Sequence, residues 1–125
     1  KVTRVVLCSG KVYYDLLAAR REKKIANIAI VRVEQLYPFP KDHLEKELAK
    51  YPKASEIVWC QEEPRNQGAW YWIASRHHLD SQISGKQKML LVSRPASSSP
   101  AVGYLAKHNE QQKALVESAL GKIEY

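Results

Sequence analysis

The stretch Val5-Val6-Leu7-Cys8-Ser9-Gly10 sets the fold that this sequence encodes. Its four consecutive apolar residues are typical of a short strand buried on both faces, and Ser9-Gly10 supplies a turn. In the residues that follow, Val12, Leu16 and Ala19 recur at helical spacing. We therefore predict a strand, a tight turn and a helix, which is the first half of a β–α–β unit.

The same order repeats along the chain. Further strands are predicted at Ile28–Val33, Ile57–Cys60 and Met89–Val92, and further helices begin at or near Pro40, Asn66 and Pro100. Pro52 and Gly121 mark the ends of two of these helices. The alternation predicts a single α/β domain over residues 1–125, with a mostly parallel sheet covered by helices.

Right-handed crossovers would bring all four strand-to-helix loops to one edge of such a sheet. These loops are residues 9–11, 34–39, 61–68 and 94–99. The helix that follows the third loop is predicted to carry Trp70 into the core. We expect Lys11, Tyr37, Glu62, Arg65 and Arg94 to lie along that edge and the opposite edge to be chemically plain. Ligands and partners of parallel sheets usually meet this carboxyl edge.

Arg94 and the serines that follow it form a candidate binding site. An arginine at a strand end, three hydroxyls (Ser97, Ser98 and Ser99) and a helix N-terminus can together hold an anion. One interpretation is a site for an acyl-CoA or nucleotide phosphate, and the other is a capped loop docked against another domain. We favour docking.

Five further polar residues share the predicted edge and complete the candidate interface or anion site: Lys11, Glu62, Glu63, Arg65 and Asn66. Glu62 and Glu63 are adjacent on an extended segment, so their side chains point in opposite directions and do not form an acid–base pair. Trp72 and Tyr71 are candidates for an oligomer interface, whereas Trp59 is expected in the core.

Catalytic, cofactor and metal sites are not indicated by the residues. Ser9-Gly10-Lys11 lacks the earlier glycine of a phosphate loop, and Val12 stands where that loop needs Ser or Thr. His77 and His78 are neighbours on a predicted helix and cannot chelate together. No Gly-x-Gly-x-x-Gly fingerprint is present.

The composition and charge of the chain indicate which classes of partner it binds and where it is located. The chain has 125 residues and a formal charge of +7, without a helix-turn-helix, zinc-finger or RNA-binding aromatic pattern, so we predict an acidic neighbour in an assembly rather than nucleic acid. No apolar run is long enough for a membrane span, and no secretion signal is visible. Cys8 and Cys60 are predicted to be buried free thiols in a reducing compartment.

Four stretches in combination resemble the closing domain of the decarboxylating component of 2-oxoglutarate dehydrogenases. They are Cys8-Ser9-Gly10-Lys11-Val12-Tyr13-Tyr14-Asp15-Leu16, Ile30-Val31-Arg32-Val33-Glu34-Gln35-Leu36-Tyr37-Pro38-Phe39-Pro40, Trp59-Cys60-Gln61-Glu62-Glu63-Pro64 with Asn66-Gln67-Gly68-Ala69-Trp70, and Arg94-Pro95-Ala96-Ser97-Ser98-Ser99-Pro100-Ala101-Val102-Gly103. The resemblance covers nearly the whole chain and is poor between Ile73 and Lys88. It implies a three-layer fold like the transketolase C-terminal domain, with about five mostly parallel strands and helices on both faces.

The resemblance also implies a parent enzyme that binds thiamine diphosphate and magnesium. That enzyme would decarboxylate 2-oxoglutarate and pass the succinyl group to the lipoyl arm of a dihydrolipoyl succinyltransferase component. The family's magnesium motif is absent here, so we expect this chain to bind no cofactor and to be inactive alone. Its expected partners are the other domains of a longer chain and a second copy in a homodimer, in the bacterial cytoplasm or the mitochondrial matrix. A 2-oxoadipate dehydrogenase remains an alternative parent.

Overall fold

The computed structural model describes residues 1–34, 41–64, 68, 70, 88–94 and 105–123. In chain order the elements are β1 (Arg4–Cys8), α1 (Val12–Glu22), β2 (Ile28–Arg32), α2 (Lys41–Ala49), β3 (Glu56–Pro64), β4 (Lys88–Arg94) and α3 (Leu105–Leu120). The predicted strands and the helices α1, α2 and α3 are thus confirmed. The predicted start of the last helix at Ser99 and Pro100 lies outside the described residues, and no helix within the described ranges is long and apolar enough to cross a bilayer.

The four strands form one parallel sheet in the order β2-β1-β3-β4. β1 is central, with Val5, Val6, Leu7 and Cys8 fully buried, which explains its uninterrupted apolar run. Its last residue, Cys8, lies opposite Arg32 of β2 and Cys60 of β3. The predicted parallel sheet is therefore confirmed, with four strands in the described residues where about five were expected. We call the side where strands begin the amino edge and the side where they end the carboxyl edge.

Successive residues of each strand enter two separate cores on the two faces of the sheet. Val6, Cys8, Val58 and Cys60 face one core, which α1 and α3 cover with side chains that include Leu16 and Leu115. The alternate strand residues, among them Leu7 and Trp59, face a second core that α2 covers with Leu44 and Leu48. Trp70 packs partly buried against this second core. The predicted three layers are thus confirmed, as is the core position of Trp59.

β3 is longer than the sequence pattern predicts. The apolar run ends at Cys60, so we expected a loop from Gln61 onward; instead β3 continues to Pro64, which lies opposite Arg94 of β4. The register shifts between Cys60 and Pro64. Burial of Gln61, which is 3% exposed, accounts for the difference, because a buried polar residue does not show in an apolar pattern.

The chain changes direction across the sheet between β1 and β3. From β1 it crosses through α1 to β2 on one side, and it then crosses through α2 on the opposite face to reach β3 on the other side of β1. Such a reversal opens a crevice at the carboxyl ends of the two strands that flank it. The residues after β1 and at the end of β3 therefore border the natural binding position of this fold.

Candidate functional site

The crevice between β1 and β3 is bridged by an ion pair. Lys11, which occupies the N-cap position of α1, places its Nζ 3.1 Å from Oε2 of Glu62 in β3. Gly10 precedes it with φ of +82°, a left-handed conformation that glycine adopts without strain and that turns the chain sharply out of β1. Two residues that the sequence predicts for one edge are thus brought together, although they are separated by 51 positions.

Glu63 does not join this pair. It is exposed, while Glu62 is half-buried towards Lys11, as expected for neighbours on an extended strand. Gly68 lies beside Glu63 with φ of +71°, and a Cβ there would come within 3.0 Å of the Glu63 carboxylate. The positive φ therefore favours glycine at this position, whereas the exposed Glu63 side chain could move away from a Cβ.

Gln61 organises the end of β3, a role that the pattern of apolar residues does not indicate. Its Oε1 accepts hydrogen bonds from Nε1 of Trp59 at 3.0 Å and from the backbone N–H of Trp70 at 2.9 Å. Its Nε2 donates to the backbone oxygens of Glu63 and Pro64. One buried amide thus joins a core tryptophan to the segment beyond the strand. The only signal in the sequence was a polar residue directly after a buried run.

A second cluster, Tyr13, Tyr14, Arg32 and Glu34, lies at the carboxyl end of β2. The Arg32 guanidinium carbon is 5.4 Å from the centre of the Tyr13 ring and 5.2 Å from that of Tyr14. Arg32 also donates to the Tyr14 hydroxyl at 2.9 Å and pairs with Glu34 at 2.7 Å. We call these four residues the Tyr–Arg cluster. Sequence reasoning placed Glu34 at this edge and missed the other three.

Electrostatics stabilise the charged forms in the Tyr–Arg cluster. The close ion pair with the Arg32 guanidinium lowers the pKa of Glu34, and the backbone N–H of Gly10 lowers it further. Reciprocally, the hydrogen bonds to Glu34 and Tyr14 raise the pKa of Arg32. Tyr14 is nevertheless 58% exposed, the highest value for a large hydrophobic side chain in the described part of the protein. The cluster therefore presents an aromatic ring beside an arginine that is already held in place.

Arg94 is turned towards α3. It is 8% exposed, and its guanidinium donates to the side-chain oxygens of Gln111 at 3.3 Å and Gln112 at 2.7 Å. Gln112 in turn donates to Asp15 of α1 at 2.9 Å. Arg94 thus joins β4 to both helices of one layer. Ser97, Ser98, Ser99, Arg65, Asn66, Tyr37, Tyr71 and Trp72 lie outside the described residues, so the anion site and the rest of the predicted edge stay predictions.

The two cysteines are confirmed as buried free thiols. They lie opposite each other on β1 and β3, next to the crevice but inside the core. Burial raises the pKa of Cys8 to about 12, with a smaller contribution from Glu34, and burial also raises the pKa of Cys60. Both therefore remain protonated at neutral pH and are poor nucleophiles. Across the described ranges, no three His, Cys, Asp or Glu side chains come together as metal ligands.

The amino edge is not chemically plain, and that prediction was wrong. The Arg4 guanidinium pairs with Glu56 at 2.9 Å and donates to the backbone oxygens of Ala119 at 2.9 Å and Gly121 at 2.6 Å. It thereby binds the last carbonyls of α3, where the helix dipole is negative. The sequence pattern could not show this, because Arg4 and Gly121 are 117 positions apart.

Comparison with known proteins places these observations in a family. Residues 1–120 match the family model described as 2-oxoglutarate dehydrogenase C-terminal. The chain is 56% identical over 123 residues to the 2-oxoglutarate dehydrogenase E1 component of Cupriavidus necator, with 98% of the chain and 13% of that protein covered. The protein of the same name from Haemophilus influenzae is 56% identical, with 95% of the chain and 12% of the relative covered. The protein of this name from Coxiella burnetii is 54% identical, with 96% of the chain and 13% of the relative covered. The chain thus spans about one eighth of the length of these relatives.

Proposed function

We propose, because this chain belongs to the 2-oxoglutarate dehydrogenase C-terminal family, that it acts as a non-catalytic assembly domain whose carboxyl edge contacts the rest of its parent enzyme. The Tyr–Arg cluster is the observation that carries this proposal. Its exposed Tyr14 and its pre-positioned Arg32 belong to the residue types that are enriched at protein interfaces and at their energetic hot spots.

The rigidity of the cluster favours binding over a purely solvated role. Arg32 lies over two aromatic rings and donates to the Tyr14 hydroxyl at 2.9 Å, so a partner would meet an arginine side chain whose position is already restricted. The Tyr13 and Tyr14 rings are 5.3 Å apart and nearly perpendicular, which holds Tyr14 in one orientation. The second copy of the parent protein in a homodimer, or another of its domains, would supply the opposing surface.

The chemistry of the described residues supports an assembly role over a catalytic one. Glu62 is paired with Lys11, both cysteine pKa values are raised, and the Arg94 guanidinium donates to two glutamine side chains. No carboxylate or thiol there is set up as a general base or nucleophile. The engagement of Arg94 also gives less support to the alternative of an acyl-CoA or nucleotide effector site than to docking.

The parent enzyme, on this proposal, is the decarboxylating component of a 2-oxoglutarate dehydrogenase complex. It would use thiamine diphosphate and magnesium, and it would succinylate the lipoyl group of a dihydrolipoyl succinyltransferase. The described residues of this chain do not fit the magnesium of that cofactor, because no three His, Cys, Asp or Glu side chains among them come together as ligands. The cofactor would therefore be held by other parts of the parent protein.

The names of the relatives favour 2-oxoglutarate over 2-oxoadipate as the substrate of the parent. Their bacterial sources favour the cytoplasm as its location. Both points concern the parent protein, since this chain corresponds to about one eighth of such a protein.

Replacing Tyr14 in the intact parent protein tests the assembly role. We expect Tyr14→Ala to raise the dissociation constant of the homodimer about tenfold, because a hot-spot tyrosine contributes on the order of 1–2 kcal/mol. Sedimentation over a dilution series measures this constant. Tyr14→Phe keeps the ring and is the matched control, with an expected change of less than about threefold. An unchanged dimer in Tyr14→Ala, or thiamine-dependent turnover of 2-oxoglutarate by this chain alone, would contradict the proposal.

A further inference from the structure

Among the described residues, positive charge is concentrated at the amino edge. The segments that form this edge are residues 1–4, 20–27, 46–56, 88 and 117–123, and they contain eleven basic and four acidic residues. The remaining described residues contain six basic and seven acidic ones. The basic surplus of the described residues therefore lies at the edge opposite the Tyr–Arg cluster.

Helix dipoles explain part of this distribution. All three described helices end at the amino edge, and Arg20, Arg21 and Lys46 lie in their last turns, where cations complement the negative helix end. Lys1, Lys24 and Lys53, however, belong to no helix and are exposed. Their charges exceed what the helix ends require.

Carboxylates of the chain neutralise little of the surplus. Among the described residues, the exposed lysines of this edge that have a carboxylate within 4.0 Å are Lys23, paired with Glu117, and Lys50, paired with Glu47. These surface pairs are weak, since Lys23 and Lys50 are 43% and 60% exposed. A positive potential thus remains at this edge.

The amino edge also has a concave part. A cleft of about 340 Å³ is lined by Lys1, Val2, Lys50, Tyr51, Pro52 and Lys53. It joins the start of the chain to the turn between α2 and β3. Three lysines therefore border one depression, and we call them the cleft lysines.

The composition of this edge indicates a reversible contact. Lysine is depleted at the core of protein interfaces, and permanent interfaces are rich in apolar residues. Within the described ranges, the one exposed large hydrophobic side chain is Tyr14, at the other edge. A lysine-rich surface of this kind favours electrostatic steering of a partner and a contact that weakens with salt.

We propose that the amino edge, centred on the cleft lysines, is a docking surface for a carboxylate-rich region of a separate protein that binds reversibly. A nucleic acid fits less well, because this edge presents Tyr51 half-buried and no exposed aromatic ring on which bases could stack. The proposal does not depend on the assembly role of the Tyr–Arg cluster, which lies at the opposite edge.

A triple variant of the intact parent protein, Lys1→Gln, Lys50→Gln and Lys53→Gln, tests this surface. The probe is a fluorescein-labelled oligoglutamate peptide titrated at low and at high ionic strength, with fluorescence anisotropy as the readout. We expect the peptide to bind at low salt and the triple variant to bind about tenfold more weakly, since three surface ion pairs are lost. Homodimer sedimentation should be unchanged, which separates this result from a failure of the carboxyl edge.

Two controls isolate the position and the charge. Lys113→Gln removes an exposed lysine in the middle of α3 and should bind like the wild type. The triple Lys→Arg variant keeps the charge and should also bind like the wild type. Equal binding by wild type and the triple Gln variant, or no binding at low salt, would overturn the proposal. A single-stranded oligonucleotide or anionic phospholipid vesicles binding more tightly than the peptide, with loss in the same variant, would assign the surface to those ligands instead.

Discussion

The two edges of the sheet handle charge in different ways. At the carboxyl edge, Lys11 pairs with Glu62 of β3, and Arg32 pairs with Glu34 just beyond the end of its own strand, so these basic groups meet carboxylates. At the amino edge, Arg4 is drawn inward onto the end of α3, and most of the other cations remain exposed. One edge is balanced and carries an exposed tyrosine, and the other is basic and lacks one.

This difference follows from the topology of a parallel sheet. All crossover helices begin at the carboxyl edge and end at the amino edge, so positive dipole ends gather at the first and negative ends at the second. Acidic residues accordingly lie in the first turns of α1 and α2, at Asp15 and Asp42, and basic residues in their last turns. The fold thus favours acidic residues at the carboxyl edge and basic residues at the amino edge, because each complements the helix ends found there. The additional lysines of the amino edge increase this difference in charge between the two edges.

The largest expected effect comes from the inward arginine of the amino edge. Arg4→Met leaves the Glu56 carboxylate and the carbonyls of Ala119 and Gly121 without their donor. Because the Arg4 side chain is only 12% exposed, we expect the free energy of unfolding to fall by about 3 kcal/mol. Urea unfolding of the chain, followed by tryptophan fluorescence, measures this change.

The control is Arg21→Met, which removes an exposed arginine in the last turn of α1. It should change the free energy of unfolding by less than about 0.5 kcal/mol. If the two variants were equally stable, the amino edge would contain no structural arginine, and the contrast between a buried clamp and exposed lysines would be lost.

The sequence predicts the framework of this comparison and not its details. Apolar runs such as Val5–Cys8 and helical spacing such as Val12 to Leu16 report burial along one element, so strands, helices and the meeting of Lys11 with Glu62 were predictable. Arg4 and Gln61 were missed because their contacts depend on three-dimensional placement. A buried guanidinium or amide resembles a surface residue in the sequence until its partners are known.

A second test concerns the carboxyl edge, where Gln61 holds the end of β3. Gln61→Leu keeps the volume but removes the acceptor for Trp59 Nε1 and for the Trp70 backbone N–H. We expect a loss of about 2 kcal/mol in the free energy of unfolding, since two donors lose a buried partner. Glu63→Gln, an exposed neighbour, is the matched control in the same urea experiment. A cost below that of the control would show that the edge is held by ion pairs alone.

The core between the edges gives a pH-dependent test. Burial raises the pKa of Cys8 from 9.0 to about 12, so the folded chain keeps this proton at pH values where the unfolded chain releases it. The contribution of the protonated Cys8 thiol to the free energy of unfolding is fully present below pH 9. It is lost as the pH rises towards 12, at about 1 kcal/mol per pH unit in that window. Cys60 acts in the same direction.

Cys8→Ala should therefore show a shallower decline in unfolding free energy between pH 9 and the folded pKa near 12 than the wild type does. Comparing the two slopes isolates the Cys8 thiol, since the substitution removes that group. Parallel slopes for the two proteins would mean that the thiol at the carboxyl end of β1 is open to solvent, in contradiction to its complete burial in the structure.

The smallest expected effect is at the most visible contact of the carboxyl edge. Lys11→Gln breaks the 3.1 Å pair with Glu62, yet the lysine side chain is 73% exposed and its charge is well hydrated whether or not the pair forms. We expect the free energy of unfolding to fall by less than about 0.5 kcal/mol, and by a smaller amount at high salt. Lys11→Arg is the control, since it keeps the charge at the N-cap of α1. A loss of unfolding free energy comparable with that of Arg4→Met would contradict the proposed difference between the two edges. The carboxyl edge would then depend on its exposed ion pair for stability as strongly as the amino edge depends on its buried arginine.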